Sequence, residues 1–237
     1  MSTSFLGRPF ADMFNTEQAP EAPICSVILM GNPGAGKSAL LNALGGDFYS
    51  GFYSIVGNPG SSKATVTIDQ KTLELIDLPG ISDAGGKGAI SRNLQLLEDS
   101  LNSCSQALLF FVIKPNNGRI SPEDFAVLKT LLLNLTKSPI IGLFVTQVRE
   151  DHISRIDNDG YRDSVIQMLR EHGANTCHLE KNRWSVLKLH QAEGFSEDEK
   201  AAIRKYVCSF VPAKVKVSNL IVRAFLEVLA YFKKHFG

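Results

Sequence analysis

The sequence predicts an α/β fold: a mostly parallel sheet with helices on both faces, followed by a C-terminal helical extension. Three observations carry this. Short, almost wholly apolar runs alternate with longer segments of helical periodicity, the pattern of buried parallel strands joined by crossover helices. The first run leads through a glycine-rich turn directly into a helix. The chain, 237 residues with 44% hydrophobic and 21% charged side chains, has ordinary globular composition and length for one such domain plus extensions.

Residues 1–23, with Pro9, Pro20 and Pro23, read as a flexible N-terminal arm. Its Phe5, Leu6, Phe10, Met13 and Phe14 either form a short amphipathic patch or stay disordered. The domain proper is placed at 24–190 and the extension at 191–237. Ile24–Met30 is the first buried strand, and Lys37–Leu44 the first helix, closed by Gly45-Gly46. Residues 45–62, rich in Gly, Ser and Tyr, read as a long mobile loop. Thr65–Ile68 and Thr72–Ile76 are two strands joined at Asp69-Gln70-Lys71. A second flexible stretch, Ile81–Gly88, precedes a helix over Ser91–Leu101. Ala107–Ile113 is another buried strand.

Ser121-Pro122-Glu123-Asp124 opens a helix, with serine as cap, proline at the first helical position and acids in the first turn. Ile140–Thr146 is the next strand, Tyr161–His172 a helix, and Trp184–Leu189 the last strand. Ser196-Glu-Asp-Glu199 is a capping box for a helix reaching about Phe210, ahead of Pro212. From Val217, Leu220, Ile221, Ala224, Phe225, Val228, Leu229 and Phe232 keep helical spacing. This last helix packs on the domain, on another copy or protein, or on a membrane surface beside Lys233-Lys234.

The formal net charge of +1 supplies no global basic field, so no nucleic acid partner is expected. Cys25, Cys104, Cys177 and Cys208 lack CxxC spacing and read as reduced thiols of a cytoplasmic protein. No apolar stretch reaches the roughly 18–20 residues of a membrane-spanning helix.

The segment Gly31-Asn-Pro-Gly-Ala-Gly-Lys37-Ser38 matches GxxxxGK[ST] in full. Each residue type has a reason. Glycines let backbone N–H groups turn inward against phosphate oxygens, and the helix that follows offers its positive N-terminal end. Asn32, Gly34, Ala35, Gly36, Lys37, Ser38 and Ala39 are therefore the nucleotide-binding residues. Lys37 brings a point charge to the β- and γ-phosphates, and the Ser38 hydroxyl ligates Mg²⁺. Asp77, at the end of a strand, is the carboxylate that holds Mg²⁺, directly or through water. The Gly80 backbone N–H can swing onto a γ-phosphate, so Lys37 and Gly80 are the catalytic candidates. A γ-phosphate-sensing hydroxyl should lie before the strand at Val66. Ser61, Ser62 and Thr65 are candidates, and pairing the strand back from Asp77 brings Ser62 to the loop exit as a further metal ligand. The fold class is thus a P-loop NTPase G domain.

Gly31–Ser38 with Asp77-Leu-Pro-Gly80 resembles the translation-factor-related GTPases. From Ser105 onward, Ala-Leu-Leu-Phe-Phe-Val-Ile and then Gly118-Arg-Ile-Ser-Pro-Glu-Asp124 are similar to the septin-like, immunity-associated nucleotide-binding (GIMAP-type) family. The resemblance spans residues 24–190. It implies a GTP/GDP-binding, Mg²⁺-dependent protein that hydrolyses GTP slowly alone and forms a homo-dimer or oligomer through its nucleotide face.

The family's base-recognition pattern, Asn or Thr, Lys or Arg, any residue, Asp, is only partly met. Thr146 fits, Gln147 replaces the basic residue and Arg149 stands in place of the Asp. Glu150 or Asp151 can substitute if the loop bulges by one or two residues, so Thr146, Gln147 and Glu150 complete the nucleotide-binding set. The missing Asp also leaves ATP open as the ligand. Arg183 or Trp184 could stack on the base, or Trp184 could be core. Where many small GTPases position water with Gln, this chain has Ile81, which has no donor or acceptor. That predicts slow hydrolysis in the isolated monomer, or a nucleotide-gated assembly module.

Overall fold

The structure, a computed structural model, describes residues 25–48, 61–81, 86–137, 140–188, 194–217 and 227. The N-terminal arm, most of the loop over 45–62, Ser82 and Asp83, and nearly all of the last helix lie outside the described residues.

A six-stranded sheet forms the centre, in the order β2-β3-β1-β4-β6-β7. Its strands are β1 (Cys25–Gly31), β2 (Ser62–Ile68), β3 (Lys71–Asp77), β4 (Ala107–Ile113), β6 (Gly142–Val148) and β7 (Trp184–Lys188). All neighbours run parallel except β2, which forms an antiparallel hairpin with β3. Residues of β1 and β4 are buried throughout, as a strand covered on both faces requires. The helices are α1 (Lys37–Ala43), α2 (Gly86–Ser103), α3 (Pro122–Asn134), α4 (Glu150–Ile156), α5 (Asp159–Glu171) and α6 (Glu197–Cys208). This is the expected α/β, P-loop G-domain architecture.

Strand alternation splits the core in two. Leu109, Phe111 and Ile113 of β4 face one layer, with Leu94, Leu97 and Leu101 of α2, Leu128 and Leu131 of α3, and Val165 and Leu169 of α5. Leu108, Phe110 and Val112 face the other, with Leu40 and Leu41 of α1 and Ile203, Val207 and Phe210 of α6 and its exit. Phe110 is fully buried there, its ring 5.4 Å from that of Phe144 and 4.8 Å from that of Phe210.

Several elements differ from the sequence reading. α2 begins at Gly86, so part of the glycine-rich stretch is helical, drawn in by the buried Ile90–Leu94–Leu97–Leu101 stripe. The β2–β3 turn is two residues, Asp69 and Gln70 at φ 48° and 64°, and Lys71 already belongs to β3. That is the left-handed pair a tight hairpin needs to match strand twist. β5 (Leu135–Lys137) pairs antiparallel with β8 (Lys216–Val217), so Val217 starts no helix but lies opposite Leu135. The helix starts follow their caps: the Ser121 side chain accepts from Asp124 N–H, and Ser196 forms the full capping box with Glu199.

Candidate functional site

Parallel strands β1, β3, β4 and β6 end along one edge of the sheet, where ligands of such folds bind. β1 runs out at Gly31, and the chain turns through residues 32–36 before α1 begins at Lys37. Gly36, the N-cap of α1, sits at φ 91°, a conformation that a side chain rarely adopts. Lys37 is buried, and its Nζ donates to the Asn32 carbonyl at 3.1 Å. The loop therefore curls around the ammonium. Ala39 follows half-buried in the first turn of α1.

Ser38 Oγ donates to Asp77 Oδ2 at 2.8 Å, joining the start of α1 to the end of β3. Asp77 is buried, and burial pushes its carboxyl above the ordinary range against the Ser38 bond and the Lys37 charge, which pull it down. Its other oxygen, Oδ1, is buried with no hydrogen-bond partner among the described residues. A hydroxyl and a carboxylate in contact, with one carboxylate oxygen uncommitted, are hard oxygen donors of the kind that Mg²⁺ takes alongside phosphate. The hairpin register places Ser62 directly opposite Asp77, whereas Thr65 lies further along, opposite Glu74. Ser61 is exposed just before the strand.

Gly80 lies against the loop itself. A Cβ there would come within 2.3 Å of Pro33 N, so only glycine permits this approach. The Gly80 carbonyl accepts from Asn93 Nδ2 of α2 at 2.8 Å, a buried contact that the sequence reading, which gave α2 only as a helix over Ser91–Leu101, did not name. Ile81 is buried in the core and its N–H donates to the Gly31 carbonyl at 3.3 Å. Its side chain therefore serves packing.

β6 supplies the other wall. Thr146 Oγ1 lies 2.6 Å from the Ala35 carbonyl and 3.2 Å from that of Ile113, so its hydroxyl ties β6 to the loop. Gln147, at φ 55°, donates Nε2 to the Gly34 carbonyl at 2.7 Å. The register against β7 runs Val145↔Val186 and then Val148↔Lys188, so β6 carries one extra residue at this point. Beyond it, Arg149 forks onto Asp151, with Nε–Oδ1 3.1 Å and Nη2–Oδ2 2.9 Å. Glu150 opens α4 and pairs with Lys188, the last residue of β7, at 2.9 Å.

The stacking role considered for Arg183 and Trp184 is corrected. Trp184 is level with Leu143 at the opposite end of β7 from Lys188, and it is buried in the core. The Arg183 guanidinium stands 4.7 Å over the Phe210 ring and donates to the Ser209 carbonyl. Both residues belong to the edge away from the phosphate loop.

One contact was missed altogether. Asp124, in the first turn of α3, accepts from Asn32 Nδ2 at 2.7 Å. The Ser-Pro-Glu-Asp segment signalled a helix start, and that explanation concealed a second use of its aspartate.

Residues 26–146 match the model of the family described as 50S ribosome-binding GTPase. The chain belongs to this GTPase family. The match begins in β1, takes in the phosphate loop, Asp77 and Gly80, and ends at Thr146. No curated protein sequence matches the chain.

Among solved structures, Era, in complex with MgGDPNP and nucleotides of 16S ribosomal RNA, aligns at 19% identity and a TM-score of 0.50. The alignment covers 77% of this chain and 56% of Era, so the chain spans little more than half of that protein. Toc33 from Arabidopsis thaliana, in complex with GDP and Mg²⁺, aligns at 16% identity and a TM-score of 0.50, covering 81% of this chain and 87% of Toc33. A structure from work on the dimerization of the chloroplast translocon components atToc33 and psToc159 aligns at 15% identity and a TM-score of 0.50, covering 77% and 82%. At these identities the likeness is one of fold.

Proposed function

We propose that this GTPase-family chain is a Mg²⁺-dependent guanine-nucleotide switch with slow intrinsic hydrolysis, accelerated when two copies meet across the nucleotide face. The observation that carries the reading is the assembled phosphate site: Lys37 buried within its loop, with Ser38 hydrogen-bonded to Asp77 beside it. Lys37 neutralises β- and γ-phosphate charge, while the loop N–H groups and the α1 N-terminus cradle the anion. Ser38 and Asp77, with Ser62 at the hairpin mouth, hold the metal. Mg²⁺ when bound supplies charge neutralisation at the β- and γ-oxygens. The Gly80 N–H, held beside the loop at Pro33, is the group that would contact the γ-phosphate.

Guanine preference rests on Thr146, Gln147 and Glu150. The extra residue in β6 supports Glu150 as the substitute for the aspartate that Arg149 displaces. Slow hydrolysis is supported by Ile81, whose buried apolar side chain cannot orient water. Dimerization was found important for the GTPase activity of atToc33 and psToc159, and together with Gly118–Asp124 this favours the septin-like branch and a partner-supplied group. Such groups are worth about 10³–10⁵ in rate.

The test is turnover of Mg²⁺-GTP per protein molecule across a range of protein concentrations. A rise with concentration is the expected result. Fast turnover in dilute monomer overturns the reading, and a flat slow rate favours an assembly module in which hydrolysis is incidental. The nucleotide retained through gentle purification separates guanine from adenine.

A further inference from the structure

We propose that Asp124 is a positioning residue of the phosphate-binding loop, acting through its hydrogen bond to the Asn32 side chain. The proposal rests on the reading of that loop as the nucleotide site. Asn32 is held at two points. Its Nδ2 donates to Asp124 Oδ1 at 2.7 Å, and its backbone carbonyl receives the Lys37 ammonium at 3.1 Å. Asp124 thus fixes the residue on which the phosphate-seeking cation rests.

The surroundings are those of a built contact. Asp124 is 4% exposed. Its backbone N–H donates to Ser121 Oγ at 3.0 Å, and that hydroxyl lies 3.2 Å from Asp124 Oδ2, so both carboxylate oxygens are engaged and the cap of α3 is locked to the loop. Asn32 Oδ1 is buried with no partner among the described residues, so the Asp124 bond alone sets the orientation of the amide. A helix cap needs none of this, because Ser121 already caps α3. A carboxylate buried at this spot costs desolvation, and burial pushes Asp124 up to about 6, against the pull of the Asn32 and Ser121 bonds. The charged groups acting on it are Glu123 on its own helix, which raises it further, and Lys37 from the loop, which lowers it.

Protonation leaves Oδ1 an acceptor, so the tie to Asn32 survives at either charge, while the negative charge near Lys37 is lost. An arriving polyphosphate favours the neutral form, so binding takes up a proton.

The experiment titrates fluorescently labelled GDP and GTP, with Mg²⁺, into the wild type, Asp124→Asn, Asp124→Ala, Asn32→Ala and the double alanine variant. At about pH 5, where the wild-type carboxyl is mostly protonated, Asp124→Ala and Asn32→Ala are each expected to lose about tenfold in affinity, the double variant little more, and Asp124→Asn to recover most of the loss, since an amide oxygen can still accept. The affinity of the wild type relative to Asp124→Asn should fall several-fold from about pH 5 to about pH 7.5. A purely structural Asp124 predicts losses in thermal stability with additive affinities and a flat pH ratio, and that pattern overturns the proposal. If Asp124→Ala fails to fold, Asn32→Ala and the pH ratio still decide. Wild-type protein that binds neither nucleotide sinks the site itself, whereas tight binding indifferent to Asn32 and Asp124 sinks this inference alone.

Discussion

Lys37→Ala is expected to lower affinity for both GDP and GTP by about a hundredfold while leaving the fold intact. Charge-assisted bonds to an anion are each worth about 1.5–3 kcal/mol, and in the proposed site the ammonium would meet the β- and γ-phosphates in a loop that otherwise offers neutral N–H groups. The buried position of Lys37 strengthens the effect, because a cation out of bulk water interacts through a lower effective dielectric. The Asn32 carbonyl loses its donor in the variant. Half-buried Asn32 can take water there, so stability should change little. Titration of labelled nucleotide alongside thermal unfolding separates the two quantities. Unchanged affinity in a folded variant would remove the loop from the nucleotide site.

The second large effect concerns the core. Phe110→Ala is expected to destabilise the chain by about 3–5 kcal/mol, a substantial share of the about 5–15 kcal/mol that holds a typical domain folded. Phe110 has no exposed surface and touches three other rings: Phe144 of β6, Tyr206 of α6 and Phe210 after it. Gly142 lies against the same ring, where a Cβ would come within 2.4 Å of Phe110 Cδ1. The cavity left by alanine is walled by the sheet on one side and α6 on the other, so it closes poorly. Urea unfolding followed by circular dichroism checks it, and a loss below about 1 kcal/mol would mean that α6 collapses into the gap.

Much of this was legible in the sequence because one-dimensional patterns fix the features concerned. Apolar runs announced β1 and β4, a capping serine announced α3, and the reciprocal Ser196–Glu199 pair announced α6. The phosphate loop was legible for another reason: backbone approach to phosphate tolerates few residue types. What escaped was either short or tertiary. α4 has only Ile153 and Ile156 as apolar anchors in seven residues, too few to show a period. The β6 irregularity at Gln147 follows from pairing with β7, and the Asn32–Asp124 bond joins residues 92 apart. Of the two alternatives open for Trp184, base stacking or core, strand direction decides for core, since it puts the residue at the far end of β7 from the phosphate loop.

The pairing of Ser62 with Asp77 has a mechanical consequence. The two residues close the open end of a hairpin whose other end is the turn at Asp69 and Gln70. Successive residues of a strand point to opposite faces, so a slip of one position would turn the Ser62 hydroxyl away from the Asp77 carboxylate. The arrangement of oxygens beside the phosphate loop is therefore measured off from the turn, counted residue by residue along two strands over about 20 Å. An insertion at that remote turn would detune the mouth of the site without touching any residue in it.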